Sequence, residues 1–335
     1  MSIQRKLCGK NVASVGLGCM GMSEFYGETN DAESLAALRN AYALGYRHFD
    51  TADMYGNGHN ETLLGTFLRG LTPAQRTDIV LASKGGITRA PGDKFSIGVN
   101  SKAGYIREAC HASLARLGVD HIDLYYLHRR DPDTPMEETI DVLNRLRIEG
   151  KIGGIGLCEV SGETIDVALK VAPIAALQAE YSLWTRDMEA EILPKCTALG
   201  IAVVAFSPLG RGFLTAKIDE EAMRKMSSEL DLRTRMPRFH GENMSRNRVL
   251  VHRLTELSSR IGVTPAQLAL AWLLHKSRAV HVIPGSKTQR YLEENQRATH
   301  IALDDATIRE LDELFSPSAV SGERYPRQLL ERSNA

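Results

Sequence analysis

The chain lacks the features that would place it in several broad classes of protein. Its 41 basic and 41 acidic residues balance, so no electrostatic argument favours nucleic acid or an anionic membrane as a partner. No apolar run approaches the roughly 18 residues of a membrane-spanning helix. The N-terminal segment also lacks the apolar core of a signal peptide. We therefore expect a cytoplasmic protein that does not associate with membranes.

Cysteine is scarce, and its placement is uninformative. Five cysteines are scattered over 335 residues, and none forms a Cys-x-x-Cys pair. An odd number of cysteines in a chain of this size argues against a disulfide framework. The histidines show no spacing typical of metal ligands, so we expect no structural zinc.

What the chain does contain is a regular alternation of β-rich and amphipathic helical segments. An N-terminal hairpin is predicted from residues 5–7 and 11–13. Eight strands are predicted at residues 14–18, 46–50, 79–83, 122–127, 152–157, 175–178, 202–206 and 280–283. The predicted helices cover residues 30–44, 60–68, 102–117, 136–149, 162–171, 189–199, 246–261, 265–275, 289–299 and 304–315.

Eight strand–helix units in succession predict a single (β/α)₈ barrel, of the TIM barrel type, over residues 1–335. A long insertion at 209–247, between strands seven and eight, has no clear structural pattern, and residues 316–335 form a tail beyond the last helix. The competing architecture is an open, doubly wound sheet. No linker rich in proline, glycine or serine divides the chain into two domains.

Four polar residues stand at or just after the ends of three consecutive predicted strands. Asp50 and Tyr55 follow strand two, Lys84 follows strand three, and His128 follows strand four. The C-terminal strand ends of such a barrel meet at one mouth, so we expect these side chains to converge. A Lys⁺ held by an Asp⁻ would lower the pKa of a neighbouring Tyr, making it an acid able to protonate a carbonyl oxygen. His128 could donate to the same oxygen or orient it.

A structural interpretation of the same four residues stays open. Asp50 and Lys84 could form a simple ion pair, with Tyr55 and His128 filling the top of the barrel. Lys84 could also act as a Schiff-base nucleophile, although pairing with Asp50 would keep it charged.

Three segments resemble the aldo-keto reductases, and the resemblance covers nearly the whole chain. They are GYRHFDTADMYG at 45–56, LGVDHIDLYYLH at 117–128 and VIPGSK at 282–287. Two later segments, PRFHGEN at 237–243 and GERYP at 322–326, resemble the auxin-induced-protein-like and pyridoxal-reductase-like branch of bacteria, plants and fungi. The resemblance implies an NADPH-dependent reductase of aldehydes, and of some ketones, in which Tyr55 donates the proton.

The same resemblance implies a cofactor site. Gln178 would bind the nicotinamide amide, Phe206 would stack on the nicotinamide ring, and Glu294 and Asn295 would contact adenine. The other implied contacts are Met20, Asp50, Ser207, Pro208, Leu209, Gly210, Gly212, Ser286, Lys287 and Arg290. Cations at a helix N-terminus suit the 2′-phosphate of NADP, so NADP is expected over NAD.

One position departs from the family pattern. After strand five the family usually carries Ser-Asn, which holds the nicotinamide carboxamide, whereas this chain has Cys158 and Glu159. Cysteine is a weaker hydrogen-bonding group than serine, and an ionised glutamate can only accept. Cofactor binding is expected to depend on Gln178 instead.

Two further expectations concern patterns that resemble other proteins. The spacing of Gly16, Gly18 and Gly21 fits the dinucleotide motif G-x-G-x-x-G, but no helix is predicted to begin there, as a Rossmann unit requires. We expect instead that these glycines let the backbone after the first strand approach the cofactor. The barrel also resembles the β-subunits of potassium channels, which makes a non-catalytic NADPH-binding regulatory subunit the alternative function. Aromatic residues that could line a substrate pocket are Phe25, Tyr26, Phe95, Trp184 and Tyr325.

Overall fold

A computed structural model describes residues 4–89, 95 and 97–327 of the chain. Eight parallel strands form one curved sheet in the order β12-β11-β10-β9-β8-β5-β4-β3. The strand ranges are β1 Gln4–Leu7, β2 Lys10–Ala13, β3 Leu17–Gly18, β4 His48–Asp50, β5 Val80–Gly85, β6 Ile87–Arg89, β7 Ile97–Val99, β8 Ile122–Leu127, β9 Ile152–Cys158, β10 Ile174–Glu180, β11 Ala202–Phe206 and β12 Val280–Val282.

Helices pack around the outside of this sheet. Their ranges are α1 Asp31–Ala43, α2 His59–Arg69, α3 Pro73–Thr77, α4 Ala103–Leu117, α5 Met136–Ile148, α6 Gly162–Leu169, α7 Ile192–Leu199, α8 Glu220–Arg224, α9 Gly241–Ile261, α10 Pro265–Lys276, α11 Gln289–Arg297 and α12 Asp305–Leu314. Helix α1 begins directly after Asn30, whose side chain caps it by accepting from the Glu33 amide at 3.1 Å.

The sheet closes on itself, which makes it a barrel and rules out the open, doubly wound alternative. Isolated parallel bridges join Val15 to Val282 and Gly18 to Gly285, connecting the first and last strands. The Gly16 amide donates to the Val282 carbonyl at 2.8 Å across the same seam. The predicted (β/α)₈ fold is therefore confirmed.

Alternation along the strands decides which side chains enter the barrel. Val80 and Ala82 on β5, and Leu124 and Tyr126 on β8, belong to one interior cluster that is separate from the larger core between strands and helices. Because successive side chains of a strand point to opposite faces, the next interior position of β5 is Lys84, toward the C-terminal end.

The N-terminal hairpin of β1 and β2 fills the opposite end of the barrel. Leu7 and Val12 are buried and join the interior cluster. Lys10 donates to Asp123 at 2.6 Å, near the N-terminal end of β8. The predicted hairpin is thus confirmed.

Several elements were not predicted from the sequence. Strands β6 and β7 form a second antiparallel hairpin above β5, and the short helix α3 begins with a capping box at Thr72. The insertion contains α8 and 3₁₀ turns at Gly210–Thr215, Leu232–Arg235 and Pro237–Phe239. Helix α9 begins at Gly241, five residues earlier than expected, and α7 begins at Ile192, three residues later.

The glycines of the G-x-G-x-x-G pattern serve strand packing. A Cβ on Gly16 would lie 2.8 Å from the His48 ring, and one on Gly18 would lie 2.7 Å from the Ile283 carbonyl oxygen. A short 3₁₀ turn, Met20–Met22, follows them in place of the helix that a Rossmann unit requires. Gly18 and Gly21 do line the cavity described below, as expected if the backbone is to approach a ligand there.

Candidate active site

A cavity of about 830 Å³ opens at the C-terminal ends of the barrel strands. Such a volume lies within the range of roughly 300–1,000 Å³ that is usual for ligand pockets. One end reaches Asp50, Tyr55 and His128, and the other reaches the turn before α11. The predicted cofactor residues that line it are Met20, Asp50, Gln178, Phe206, Ser207, Pro208, Leu209, Gly212, Ser286, Lys287, Glu294 and Asn295.

The four residues predicted to form the catalytic set converge at the inner end. Lys84 Nζ forms an ion pair with Asp50 and also donates to the Thr51 carbonyl at 2.9 Å. The same nitrogen lies 3.2 Å from the Tyr55 hydroxyl. The rings of Tyr55 and His128 meet edge to face, with centroids 6.0 Å apart. All four side chains are buried.

Electrostatics at this end differ from the expectation in one respect. Burial raises the pKa of Tyr55 to about 12, and the opposing effect of Lys84 is too small to offset it. The expectation of a net lowering of the Tyr55 pKa was therefore wrong, because the sequence does not report how completely the phenol is desolvated. Burial tends to lower the pKa of Lys84, but Asp50 and Tyr55 raise it more, so the ammonium stays charged.

His128 is neutral in this environment. Burial, together with the charges of Lys84 and Arg129, holds the pKa of His128 well below its usual range. Its Nδ1 atom is buried, and no other described residue offers it a hydrogen bond. A neutral imidazole has one N–H donor and one acceptor, so His128 can still donate to a ligand oxygen.

Gln178 is engaged within the protein as well as facing the cavity. Its Nε2 donates to Asp50 Oδ2 at 2.7 Å, so one of its two donors fixes the second oxygen of the aspartate. Asp50 is thereby held from two sides, by Lys84 and by Gln178. This contact was not foreseen from the sequence, which assigned Gln178 to the nicotinamide amide alone.

The segment after β11 forms one wall of the cavity. Phe206, Ser207, Pro208 and Leu209 line it in succession. Gly210, the fifth predicted residue, does not line it but packs beneath Trp184, since a Cβ there would lie 2.6 Å from the indole.

The outer end of the cavity combines a helix N-terminus with polar side chains. Helix α11 begins at Gln289, and the Thr288 side chain caps none of its first amides. Ser286 Oγ accepts from Asn295 Nδ2 at 2.9 Å. Lys287 Nζ donates to the carbonyl oxygens of Tyr26 at 3.0 Å and Glu28 at 2.9 Å.

Arg290, which was also predicted to bind the cofactor, does not line the cavity. It is exposed in the first turn of α11, on the same short segment as Lys287. The predicted pair of cations is thus split between the cavity wall and the protein surface.

Sequence reasoning missed several cations that line the cavity. They are Arg129, Arg211, Lys217, Arg233 and Arg235. Four of them belong to the region after β11, whose structure was not predicted, so their basic character could not be placed in space. Arg211 and Arg233 are paired with the buried carboxylates of Glu180 and Asp231. The other three, together with Lys287, still outnumber the two acidic residues of the lining, Asp50 and Glu294, which favours an anionic ligand.

Aromatic and aliphatic side chains surround the catalytic end. Phe25, Phe95 and Tyr325 line the cavity, as predicted, and the rings of Phe25 and Phe95 lie 5.7 Å apart. Tyr26 also lines it. Trp184 does not, because it stacks on Phe213 with ring centroids 4.8 Å apart.

The two residues that depart from the family pattern, at the end of β9, point in different directions. Cys158 lines the cavity as a buried thiol, and burial raises its pKa to about 12, in agreement with an unreactive thiol. Glu159 does not line the cavity. Its backbone is left-handed, with φ of 50°, a conformation that costs a residue with a side chain about 1–3 kcal/mol.

Comparisons with known proteins decide the family. The sequence profile of the Aldo/keto reductase family matches residues 14–315. The chain belongs to the aldo/keto reductase family. The affiliation predicted from the three sequence segments is therefore confirmed, and this aldo/keto reductase is an oxidoreductase acting on carbonyl and alcohol groups.

Solved structures of other family members superpose on this aldo/keto reductase over nearly its full length. A glycerol dehydrogenase from Gluconobacter oxydans is 25% identical, with 94% of this chain and 96% of that chain covered and a TM-score of 0.85. An aldo/keto reductase from Klebsiella pneumoniae, in complex with NADP and acetate, is 26% identical, with coverages of 97% and 99% and a TM-score of 0.73. An aldo-keto reductase from Bacillus halodurans in its holo form is 26% identical, with coverages of 98% and 99% and a TM-score of 0.75.

Two further observations concern metal ligands and membrane-spanning helices. In the described ranges 4–89, 95 and 97–327, no three histidine, cysteine or acidic side chains are grouped so as to hold a metal ion. No helix in those ranges has the length and apolar character needed to span a membrane.

Proposed function

We propose that this aldo/keto reductase reduces aldehydes, and ketones in the same geometry, to alcohols with NADPH, and that Tyr55 is the general acid. The observation that carries the proposal is the convergence of Tyr55, Lys84, Asp50 and His128 at one end of a cavity whose other end is cationic. Bound nicotinamide supplies the hydride that no amino-acid side chain can supply.

Tyr55 suits the role of proton donor at neutral pH. With a pKa of about 12 the phenol keeps its proton until a carbonyl oxygen gains negative charge. Lys84 Nζ, 3.2 Å from the hydroxyl, then stabilises the phenolate left behind. Asp50 keeps Lys84 charged and in place, and Gln178 keeps Asp50 in place.

His128 completes the arrangement by orienting the carbonyl. It is neutral, buried and edge-on to Tyr55, so a ligand oxygen between the two rings would receive a hydrogen bond from each. In the reverse direction, alcohol oxidation, the Tyr55 phenolate is the base.

The residues present fit a dinucleotide phosphate. Phe206 offers an aromatic face beside the catalytic end, and Ser286, Lys287 and the amides of α11 offer an anion site at the far end. Glu294 and Asn295 stand one to two turns along the same helix, where an adenine would lie. We propose that Lys287 gives NADPH its advantage over NADH by pairing with the 2′-phosphate.

The direct test is NADPH oxidation at 340 nm by the wild-type protein with a panel of aldehydes: nitrobenzaldehyde, methylglyoxal, pyridoxal and short aliphatic aldehydes. Turnover of at least one aldehyde supports the proposal, and the panel ranks substrates. Tight NADPH binding without turnover of any of them would contradict it and favour the regulatory-subunit alternative.

The cofactor assignment has its own test. Lys287→Gln should weaken NADPH binding about tenfold, the usual worth of one phosphate ion pair, and should leave NADH binding nearly unchanged. Lys6→Gln is the matched control, since Lys6 is exposed on β1 at the opposite end of the barrel. Equal losses for NADPH and NADH at Lys287 would show that the lysine only shapes the 26–28 loop, whose carbonyls it contacts.

A further inference from the structure

Glu159 is buried at the end of β9, yet its side chain turns away from the cavity. It is 2% exposed, and its Oε1 accepts a hydrogen bond from the Glu180 amide at 2.7 Å. Its own amide donates to the Gln178 carbonyl at 3.0 Å. Glu159 has a left-handed backbone, with φ of 50°, and its carboxylate lies behind the cavity wall, whereas the preceding Cys158 faces the cavity.

The second carboxylate oxygen of Glu159 meets the C-terminal segment. Glu159 Oε2 lies 2.8 Å from Arg324 Nη1, and both side chains are almost fully buried. A buried ion pair of this kind fixes position, because either partner left alone would be an uncompensated buried charge. Residue 159 therefore joins the end of β9 to residue 324, more than 160 positions later in the chain.

The segment 321–326, here called the C-terminal strap, is held at its start by side chains of the insertion and α9. The Ser321 amide donates to Asn247 Oδ1 at 2.9 Å, and Ser321 Oγ donates to Asn243 Oδ1 at 2.7 Å. Arg238 Nε donates to the Gly322 carbonyl at 3.0 Å. These contacts fix the start of the strap on the insertion and on α9.

Two residues at the far end of the strap form part of the cavity wall. Tyr325 and Pro326 line the cavity together with Tyr55 and His128. The Arg211 guanidinium lies 4.6 Å from the centre of the Tyr325 ring and pairs with Glu180 at 2.8 Å. Arg324, next to Tyr325, is the point at which Glu159 holds this wall from the β9 side.

We propose that Glu159 is a positioning residue that anchors the C-terminal strap through Arg324 and so sets the carbonyl-substrate end of the cavity, without binding the cofactor. The inference rests on the proposed function for its kinetic part. It assigns residue 159 to substrate selection through Tyr325 and Pro326, whereas the family pattern assigns this position to the nicotinamide.

The test compares Glu159→Gln, Arg324→Gln, the double variant and Arg324→Lys with wild type. For each we would measure aldehyde KM and kcat, the NADPH dissociation constant, and hydrogen–deuterium exchange of the backbone at 321–325. Glu323→Gln is the matched control, because Glu323 is exposed on the same strap.

The proposal predicts that Glu159→Gln and Arg324→Gln each raise aldehyde KM about tenfold, with faster exchange in the strap and an unchanged NADPH dissociation constant. The double variant should lose less than the sum of the two single variants, because each single variant already breaks the Glu159–Arg324 contact. Arg324→Lys keeps the charge and should behave as wild type does. Arg324→Gln serves as the independent test should Glu159→Gln fail to fold.

Two results would overturn the proposal. A weaker affinity for NADPH with unchanged aldehyde KM in Glu159→Gln would make Glu159 a cofactor ligand. Unchanged exchange at 321–325 in both single variants would show that the pair does not hold the strap. The exchange measurement needs no turnover, so it tests the anchor even if the proposed reductase activity fails.

Discussion

At the scale of single residues, the protonation state of Tyr55 governs how the rate responds to pH. Its pKa of about 12 means that the phenol is protonated throughout the ordinary working range. Carbonyl reduction needs the protonated form, and alcohol oxidation needs the phenolate. The two directions should therefore have different pH profiles.

We expect kcat/KM for aldehyde reduction to stay level from about pH 7 to pH 10 and to fall only as pH approaches the Tyr55 pKa. For alcohol oxidation we expect kcat/KM to rise over the same range, as the phenolate fraction grows about tenfold per unit. Both profiles can be recorded at 340 nm with one aldehyde–alcohol pair. A falling limb near pH 8 in the reductive direction would mean that Lys84 lowers the Tyr55 pKa far more than burial raises it.

Sequence reasoning identified single residues well where a strand end fixed their position. Asp50, Lys84 and His128 were located because three parallel strands deliver their C-terminal ends to one mouth, and the structure brings them together with Tyr55. Glu159 could not be interpreted in the same way. Its partner Arg324 is remote in sequence, and its left-handed backbone leaves no signal in the residue pattern.

At the scale of elements, register explains where the interior strands need glycine. Tyr126 on β8 is paired with Gly156 on β9, and the tyrosine ring occupies the space above the glycine. A Cβ on Gly156 would lie 2.2 Å from the Tyr126 ring, whereas a Cβ on Gly104 in α4 would contact nothing within 4 Å.

These two glycines make a matched pair of substitutions. Gly156→Ala should lower the free energy of unfolding by about 1–3 kcal/mol, because the added methyl group would overpack the barrel interior. Gly104→Ala should leave it unchanged or raise it by up to about 0.5 kcal/mol, because Gly104 is exposed in the first turn of α4 and alanine favours the helix. Urea denaturation of both variants measures the two changes, and a neutral Gly156→Ala would show that Tyr126 can move aside.

The elements themselves were predictable to different degrees. Long amphipathic helices such as α4 and α5, and apolar strands such as β8, follow from periodicity, and their ends agree within one residue or so. The structure of the insertion could not be predicted from periodicity, because its turns are held by long-range contacts such as those of Arg238 with Trp184 and Gly322. Four of the cavity's unforeseen cations lie in this same region, so their positions could not be predicted either.

At the scale of the whole molecule, buried histidines couple stability to pH. Burial lowers the pKa of His48, inside the barrel, to about 3, and neither of its ring nitrogens has a hydrogen-bond partner in the described part of the chain. Between pH 3 and about 6.5 the unfolded chain therefore binds a proton that the folded chain excludes. The contribution of His48 is complete above pH 6.5 and is lost as pH falls toward 3.

Removing this imidazole should remove its share of the pH dependence. Between pH 6.5 and pH 5 the unfolding free energy of the wild type should fall by about 2 kcal/mol because of His48. This part of the decrease should be absent in His48→Leu. Denaturant titrations at several pH values measure the difference, with His111→Leu at an exposed position as control. If the unfolding free energies of wild type and His48→Leu changed equally with pH, His48 would not be the source of the pH dependence.

The role of Tyr55 as proton donor is tested by comparing wild type with Tyr55→Phe in NADPH binding and in aldehyde reduction. We predict that Tyr55→Phe binds NADPH as wild type does, while kcat falls by about 10²- to 10⁴-fold through loss of the general acid. Full activity in Tyr55→Phe would contradict the assignment of Tyr55 as the proton donor.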